Sequence, residues 1–497
     1  MADNVTEIAA AHVAGIDLDY RAPSGPEQLR SKLPVPILTD DAGWLDLYWR
    51  AWSIAYDKIR TPDEQTGLVG YCDAAFSHNI FQWDTCFMLR FLRYSPQIFK
   101  AFGSLDNFYL KQHDDGFICR EINSISGADF WEKDHKSSIN PPLFSDAEWS
   151  LYSLTADDER VSRVLPPLIR YHHWLSMNRR ASDGVGYWTT ALASGMDNSP
   201  RAYDQGGLDV HEGYGYTWLC MTAQMALSTM RISQLAAVAG EEEIAERFRA
   251  EYEMLAEYVR ATFWNDDGGF YADRQPDGAV SNVLTPATCW PLLLPGEPEE
   301  RVARIESALL DERRLGRAHL VSSLSADHAL YDSRGNYWRG SVWPPMVYLA
   351  AAAMSNCGHH EAASRIADNH LSMLGAVFRK TGTFWENYAP DSTERGQIAR
   401  PEFVGWAGCG PIAMLIETVI GISVSAANRH VHWRLGRQDR HGLENMKMGG
   451  STLSVLFDPA TRSIQVSADE DFDLSVARDG RDYCFNVTAG ESTLDLQ

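Results

Sequence analysis

The sequence predicts a mainly α protein in which helical hairpins close into a ring, an α/α toroid. An extended arm precedes the ring and a small antiparallel β-unit follows it. Three observations predict this. Apolar residues recur at helical spacing in a long succession of segments between residues 43 and 422. Short and long connections alternate between those segments. After about residue 424 the pattern changes to short alternating runs split by turn signals.

Residues 1–40 contain "RAPSGPEQ" and "KLPVPIL" and lack a period, which predicts an arm strapped along the surface. The helical domain is expected over 41–423 and the β-unit over 424–497. The first helix, "GWLDLYWRAWSIAYDKIR", repeats the apolar residues Leu45, Tyr48, Trp49, Trp52, Ile54, Ala55 and Ile59 at helical spacing. Further helices are predicted near 84–94, 96–112, 145–156, 158–178, 215–239 and 241–263. Others follow near 297–311, 342–356, 359–379 and 408–422. Pro166 and Pro167 predict a kink in the 158–178 helix, or its start at that pair. The links 113–144, 181–213, 265–283, 325–341 and 380–407 are long and rich in Gly, Pro, Asp, Asn and aromatic residues. Loops of that length in a compact domain usually carry function, and a ring of hairpins gathers them at one end.

Composition narrows the function classes. A net charge of −23 argues against nucleic acid and anionic membrane surfaces, since both need a basic face. The eight cysteines are scattered singly without a CxxC pair, so no zinc or redox motif is expected. Neither HExxH nor a P-loop occurs, and no metal or other cofactor is expected. The N-terminus has an acidic start without a basic region or long apolar run, and no stretch of about eighteen apolar residues occurs. A cytoplasmic location is therefore expected. Sixteen tryptophans and twenty tyrosines serve a large core, or line a cleft where sugar rings stack.

Four loop segments combine acids, arginines and rings. "FQWDTCFML" offers Gln82, Trp83 and Asp84 at a helix start, where Asp84 alone would also serve as an N-terminal cap. "DDGFICREI" offers Arg120 and Glu121. "NYWRGSVWPPMVYLA" offers Trp338, Arg339, Gly340 and Trp343, although an Arg beside Trp is more often a packed surface pair. "TGTFWENYAPDS" offers Trp385, Glu386, Asn387 and Tyr388, followed by Trp406 in "FVGWAGCGP". A further acid, Asp197, stands in "SGMDNSP" downstream of "GVGYWTT"; read alone, this segment fits a surface turn. Hydrolysis of a glycosidic bond needs two carboxyl groups flanking it, one of which holds its proton near neutral pH. Asp197 and Glu386 are the two loop carboxylates best framed by rings and small residues.

Taken together, "FQWDTCFM", "DGFICREI", "INPPLFSDAEW", "ASGMDNSPR", "YWRGSVWPP", "FWENYAP" and "FVGWAGCGP" occur in order across about 80–412. In this arrangement the chain resembles the clan of inverting α-glycosidases that holds the trehalases and glycoside hydrolase family 63. It is most similar to the branch of mannosylglycerate and glucosylglycerate hydrolases. The resemblance implies an (α/α)6 barrel. It also implies that Asp197 is the general acid and Glu386 the general base that activates water. Trp83, Asp84, Arg120, Asn140, Trp338, Arg339 and Gly340 would line the pocket for the terminal sugar. The implied reaction is hydrolysis of a small α-glucoside or α-mannoside with inversion, the aglycone being short or charged, such as glycerate, or a second sugar. Arg201, Arg395 and Arg400 are the candidates for a glycerate carboxylate, although loop arginines of this kind are more often solvated charges.

Two departures bear on substrate. "INPP" stands where trehalases carry Gln-Pro-Pro, and the trehalase Gly-rich stretch near the C-terminus is missing, so trehalose is not the first expectation. The β-unit is also longer than a minimal glycerate-glycoside hydrolase needs. Two other classes remain: a sugar epimerase on a similar ring, and a carbohydrate-binding protein without activity. An epimerase leans on histidine for proton transfer at carbon, and no histidine stands beside a second proton carrier within the aromatic loops. A silent binding protein would keep the rings and lose an acid, whereas both acids are present.

Overall fold

The computed structural model describes residues 29–74, 78–202 and 210–496. Most of the expected arm, residues 1–28, lies outside them. Along the chain, helices alternate between an outer and an inner layer. The outer layer holds α1 (Ala42–Asp57), and the inner layer begins with α2 (Gln82–Leu92). Next come outer α3 (Gly103–Leu110), inner α4 (Phe144–Thr155), outer α5 (Asp158–Asn178) and inner α6 (Leu219–Val238). Outer α7 (Glu242–Thr262) is followed by two short 3-10 turns, Pro286–Cys289 and Pro291–Leu293, at an inner position. Outer α8 (Glu299–Leu310), inner α9 (Pro344–Asn356) and outer α10 (His360–Thr381) lead to inner α11 (Gly410–Ile420), which is wound as a π-helix. The inner elements touch in sequence: α2 against α4, α4 against α6, α6 against the 286–289 turn, that turn against α9, and α9 against α11. Contact between α11 and α2 closes the circle. The fold is an (α/α)6 barrel.

The two layers differ in sequence for a physical reason. An outer helix buries one stripe; in α7 the buried residues are Phe248, Leu255, Ala256 and Val259. An inner helix is enclosed all round, and in α2 every residue except Arg90 is buried. Arg90 pairs with Asp146 on α4, and Arg93 just beyond α2 reaches Glu417 on α11 at 2.7 Å.

Three expectations change in the structure. The fourth inner position, which periodicity did not reveal, is built from 3-10 turns because Pro286, Pro291 and Pro295 interrupt the run. The expected 96–112 helix shortens to α3, since turns after Pro96 occupy its first half. Helix α5 instead runs unbroken through Pro166 and Pro167. Its buried face, with Val164, Leu168, Tyr171 and Trp174, offsets the two missing N–H donors, and Gln112 donates to the Pro167 carbonyl at 2.9 Å.

Short two-stranded ladders edge the barrel: β2 (Ile59–Arg60) with β3 (Tyr71–Cys72), β4 (Asn79–Phe81) with β5 (Glu121–Asn123), and β6 (Trp264–Asn265) with β7 (Phe270–Tyr271). The C-terminal strands are β8 (Ile422–Ser425), β9 (His430–Arg434), β10 (His441–Met448) and β11 (Ser451–Asp458). They continue with β12 (Ser463–Ala468), β13 (Phe472–Arg478), β14 (Arg481–Val487) and β15 (Gly490–Asp495). Two sheets result, one ordered β10-β11-β12-β15 with β1 (Val35–Leu38) added at its edge, the other β14-β13-β9-β8. Val35 faces Glu444, so the described end of the arm is a strand of this sheet. All pairs are antiparallel except β9 with β13. The Trp433 indole donates to the Ile420 carbonyl at 2.9 Å, and Ala426 N–H to Ser153 at 2.8 Å, fastening the sheets to the barrel. Among the described residues no helix is long and apolar enough to cross a membrane.

Candidate active site

Since successive inner elements run the same way, the segments that precede them meet at one end of the ring. That end holds a cavity of about 60 Å³ lined by Phe81, Trp83, Asp84, Arg120, Asn140, Gly195, Asp197, Tyr337, Trp338, Glu386 and Trp406. Each enters from a segment at the start of, or just before, an inner helix.

The β4–β5 ladder sets the first corner. Phe81 faces Glu121 across it, and Gln82 N–H donates to the Arg120 carbonyl at 2.9 Å. This brings the Arg120 guanidinium beside Asp84, which sits in the first turn of α2 and not at its cap. Arg120 pairs with Glu121 at 3.0 Å and donates to the Leu192 carbonyl at 2.8 Å. Asn140 donates to the Ala193 carbonyl at 2.8 Å. Both bonds hold the loop that carries Asp197. Within it, Gly195 has φ +83°, and a Cβ there would lie 2.7 Å from the Trp83 ring. The glycine lets the backbone rest on the indole and turns Asp197 into the cavity.

The opposite wall is tied to this loop through Asn198. Its carboxamide oxygen accepts from Trp338 N–H at 2.7 Å, and its backbone carbonyl accepts from Arg339 Nε at 3.1 Å. Trp338 lies flat on Trp343, with centroids 4.1 Å apart and planes at 3°. Trp83 and Trp406 pack around them. Glu386 is 3% exposed; its N–H donates to the Arg400 carbonyl at 3.0 Å and its carbonyl accepts from the Trp406 indole at 3.1 Å. The Tyr337 hydroxyl donates to Glu386 Oε1 at 3.4 Å.

Of the expected site residues, Trp83, Asp84, Arg120, Asn140, Asp197, Trp338, Glu386 and Trp406 share this cavity. The other six do not line it. Arg201 makes a bidentate pair with Asp273 at 2.6 and 2.7 Å and is 3% exposed, so its charge is consumed behind the loop. Gln82 is bonded to Pro141 and Tyr171, and Arg339 to Asn198. Gly340, at φ +125°, packs where a Cβ would lie 2.4 Å from the Asp332 carbonyl. The Trp385 indole bonds Thr381, and the Tyr388 hydroxyl accepts from Trp385 N–H. Phe81, Gly195 and Tyr337 are cavity residues that sequence reasoning did not single out. Tyr337 lay within the quoted "NYWRG", and its φ of +56°, unusual for a bulky residue, has no signature in sequence. Among the described residues no group of three or more His, Cys, Asp or Glu side chains could hold a metal ion.

The model of the mannosylglycerate hydrolase MGH1-like glycoside hydrolase domain matches residues 77–408, well over half of the chain. The chain belongs to this family of glycoside hydrolases. An uncharacterized protein of Borreliella burgdorferi is 24% identical over 461 residues, spanning 87% of this chain and 91% of that one. A probable mannosyl-oligosaccharide glucosidase of Schizosaccharomyces pombe is 25% identical over 49% of this chain, which spans only 33% of that longer protein. Among solved structures, a family 63 mannosylglycerate hydrolase from Thermus thermophilus in complex with glucose aligns with TM-score 0.60. It is 17% identical and covers 73% of this chain and 99% of that one. The same hydrolase in complex with Tris and D-glycerate aligns with TM-score 0.58 and equal coverage.

The electrostatics of this glycoside hydrolase follow from enclosure. Burial pushes the Asp197 carboxyl up to about 6, against the lowering field of Arg120. Burial likewise pushes Glu386 up to about 7, opposed by Arg400 and reinforced by Asp197. Burial drives Asp84 well above the usual carboxylate range, again opposed by Arg120. Its Oδ1 is buried and lacks a hydrogen-bond partner among the described residues. The cavity thus presents proton-holding carboxyls among rings, an arrangement suited to acid–base chemistry on a bound polyol.

Proposed function

We propose that this glycoside hydrolase removes the terminal sugar from a small α-glycoside with inversion, using Asp197 as general acid and Glu386 as general base. The observation that carries the reading is the pair of enclosed carboxyls on one cavity, raised to about 6 and about 7, so that near neutral pH they hold about one proton between them. One protonated and one ionised carboxyl is the state an inverting hydrolase needs. Asp197 gives its proton to the departing oxygen as the anomeric C–O bond breaks. Glu386 takes a proton from the water that attacks the opposite face.

In the free protein the higher value belongs to Glu386, the reverse of the assigned roles. Substrate reverses the order, because the glycosidic oxygen accepts a hydrogen bond and so favours protonated Asp197. The attacking water donates one and so favours ionised Glu386, beside which the Arg400 charge acts in the same direction.

The cavity, about 60 Å³ and framed by rings, suits one terminal sugar. The orphan Oδ1 of Asp84 is suited to a sugar hydroxyl. For the aglycone, relatives named for mannosylglycerate favour a short anion. With Arg201 committed to Asp273, Arg400 is the arginine whose charge reaches Glu386. No histidine lines the cavity, which favours hydrolysis over epimerisation at carbon.

The test is a panel of α-glucosides and α-mannosides with glycerate, glucose and neutral aglycones. Proton NMR then identifies the first anomer released. The β-anomer is expected from the α-linked substrate, and α-anomer release would refute inversion. Asp197→Asn and Glu386→Gln should each lower kcat by about a hundredfold or more. Full activity in either variant would remove that residue from its role.

A further inference from the structure

Tyr337 stands out among the cavity residues by combining a strained backbone with a hydroxyl among acids. At φ +56° it adopts the left-handed conformation that a bulky side chain rarely takes. Such strain persists only where the surroundings over-determine it. Here they do so from three sides. The next residue's N–H donates to Asn198 at 2.7 Å, the Tyr337 carbonyl accepts from the Trp343 indole at 3.3 Å, and the Tyr337 ring packs edge-on against Trp343 at 4.9 Å.

The hydroxyl donates to Glu386 Oε1 at 3.4 Å and also acts on the Asp197 carboxylate, in each case favouring the charged form. Asp84 is a third acidic neighbour of the hydroxyl, and Arg400 is a cationic one. Around Asp197 the other charged neighbours are Arg120 and Glu121. Burial and these carboxylates push the phenol strongly up, so it keeps its proton and can donate it in a hydrogen bond. A ring needed only for packing would not require an oxygen in this position.

We propose that Tyr337 is a positioning residue for Glu386, its hydroxyl donating to the carboxylate and holding it as the ionised, water-activating member of the pair. The inference rests on the acid and base assignment above. Apo hydrogen bonds at reacting groups are often long and tighten once substrate is bound, and the 3.4 Å separation fits that behaviour.

The experiment isolates the base. α-Glucosyl and α-mannosyl fluoride carry a leaving group that departs without protonation, so the acid limb of kcat/KM for the better of the two reports ionisation of Glu386, with Asp197 coupled to it, and no longer proton donation by Asp197. Tyr337→Phe should move that limb alkaline by about one pH unit, the lower end of what a hydrogen bond to a charged group contributes. An unmoved limb, whatever the overall rate, overturns the proposal. Should Tyr337→Phe fail to fold, 3-fluorotyrosine at position 337 keeps the shape with a stronger donor, and the limb should move the other way. A limb unmoved by the fluorinated residue would equally overturn the proposal. Asp197→Asn separates this result from the underlying assignment. Retained fluoride hydrolysis with lost O-glycoside hydrolysis supports Asp197 as acid, and equal loss of both overturns that role irrespective of Tyr337.

Discussion

The carboxyl pair makes turnover depend on pH within a narrow window. Two groups with apparent values of about 6 and about 7 leave a singly protonated fraction of ~0.6 at the midpoint, near pH 6.5. Below about 6 the pair takes a second proton and Glu386 no longer accepts one from water. Above about 7 the pair loses its last proton and Asp197 has none to donate. One and a half units to either side, at pH 5 and pH 8, the singly protonated fraction falls to ~0.09, and the productive tautomer within it falls in the same proportion, about sevenfold. The assay is kcat/KM for the best α-glycoside from pH 4.5 to 9 at constant ionic strength, since kcat/KM reports the free enzyme. A flat profile between pH 5 and 8, or loss on one side only, would refute the shared-proton reasoning.

Glu386→Gln should stabilise the protein at alkaline pH while abolishing activity. A folded value of about 7 against an ordinary 4.5 means that ionising this enclosed carboxyl costs about 3 kcal/mol at pH 8. Because the folded value is raised, the gain in melting temperature should shrink as pH falls from about 7 towards 4.5, where both states hold the proton. Gly195→Ala places a methyl 2.7 Å from the Trp83 ring at φ +83°, and should cost more than the roughly 1–2 kcal/mol of left-handed strain alone. Thermal melts and kcat should fall together, and an unchanged melt would refute the close approach. His319 and His370 are wholly buried, 2.8 Å apart, and burial pushes His370 down to about 3 and His319 well below its usual range. Their depressed values make stability full above about pH 6.5 and lost below it, at about 1.4 kcal/mol per pH unit for each histidine. The difference in urea-derived stability between the wild type and a His319→Gln/His370→Gln double variant, followed from pH 7 to 5, separates that slope from the opposing slope of the enclosed carboxyls, and a pH-independent difference would refute the neutral pair.

Particular residues mark how far the sequence was legible. The apolar spacing in the segments that became α1 and α7 announced helices, because side-chain period is a local property of the backbone, while their sorting into outer and inner layers came only with the structure. The motifs around Trp83, Arg120, Asp197, Trp338 and Glu386 were likewise readable, and these residues meet in one cavity. Arg201 was misread because its partner, Asp273, lies seventy-two positions away. Tyr337 was passed over because neither its left-handed backbone nor its carboxylate neighbours leave a trace in composition.

By itself the sequence determined the ring of hairpins, a switch to strands placed at about residue 424 and the family's order of motifs, each encoded by spacing along the chain. Only the tertiary structure decided which loop side chains face the cavity, how far enclosure shifts their protons, and which inner position is held by proline-broken turns. Those outcomes depend on what stands opposite each group in space, and a loop without period carries no record of its partner.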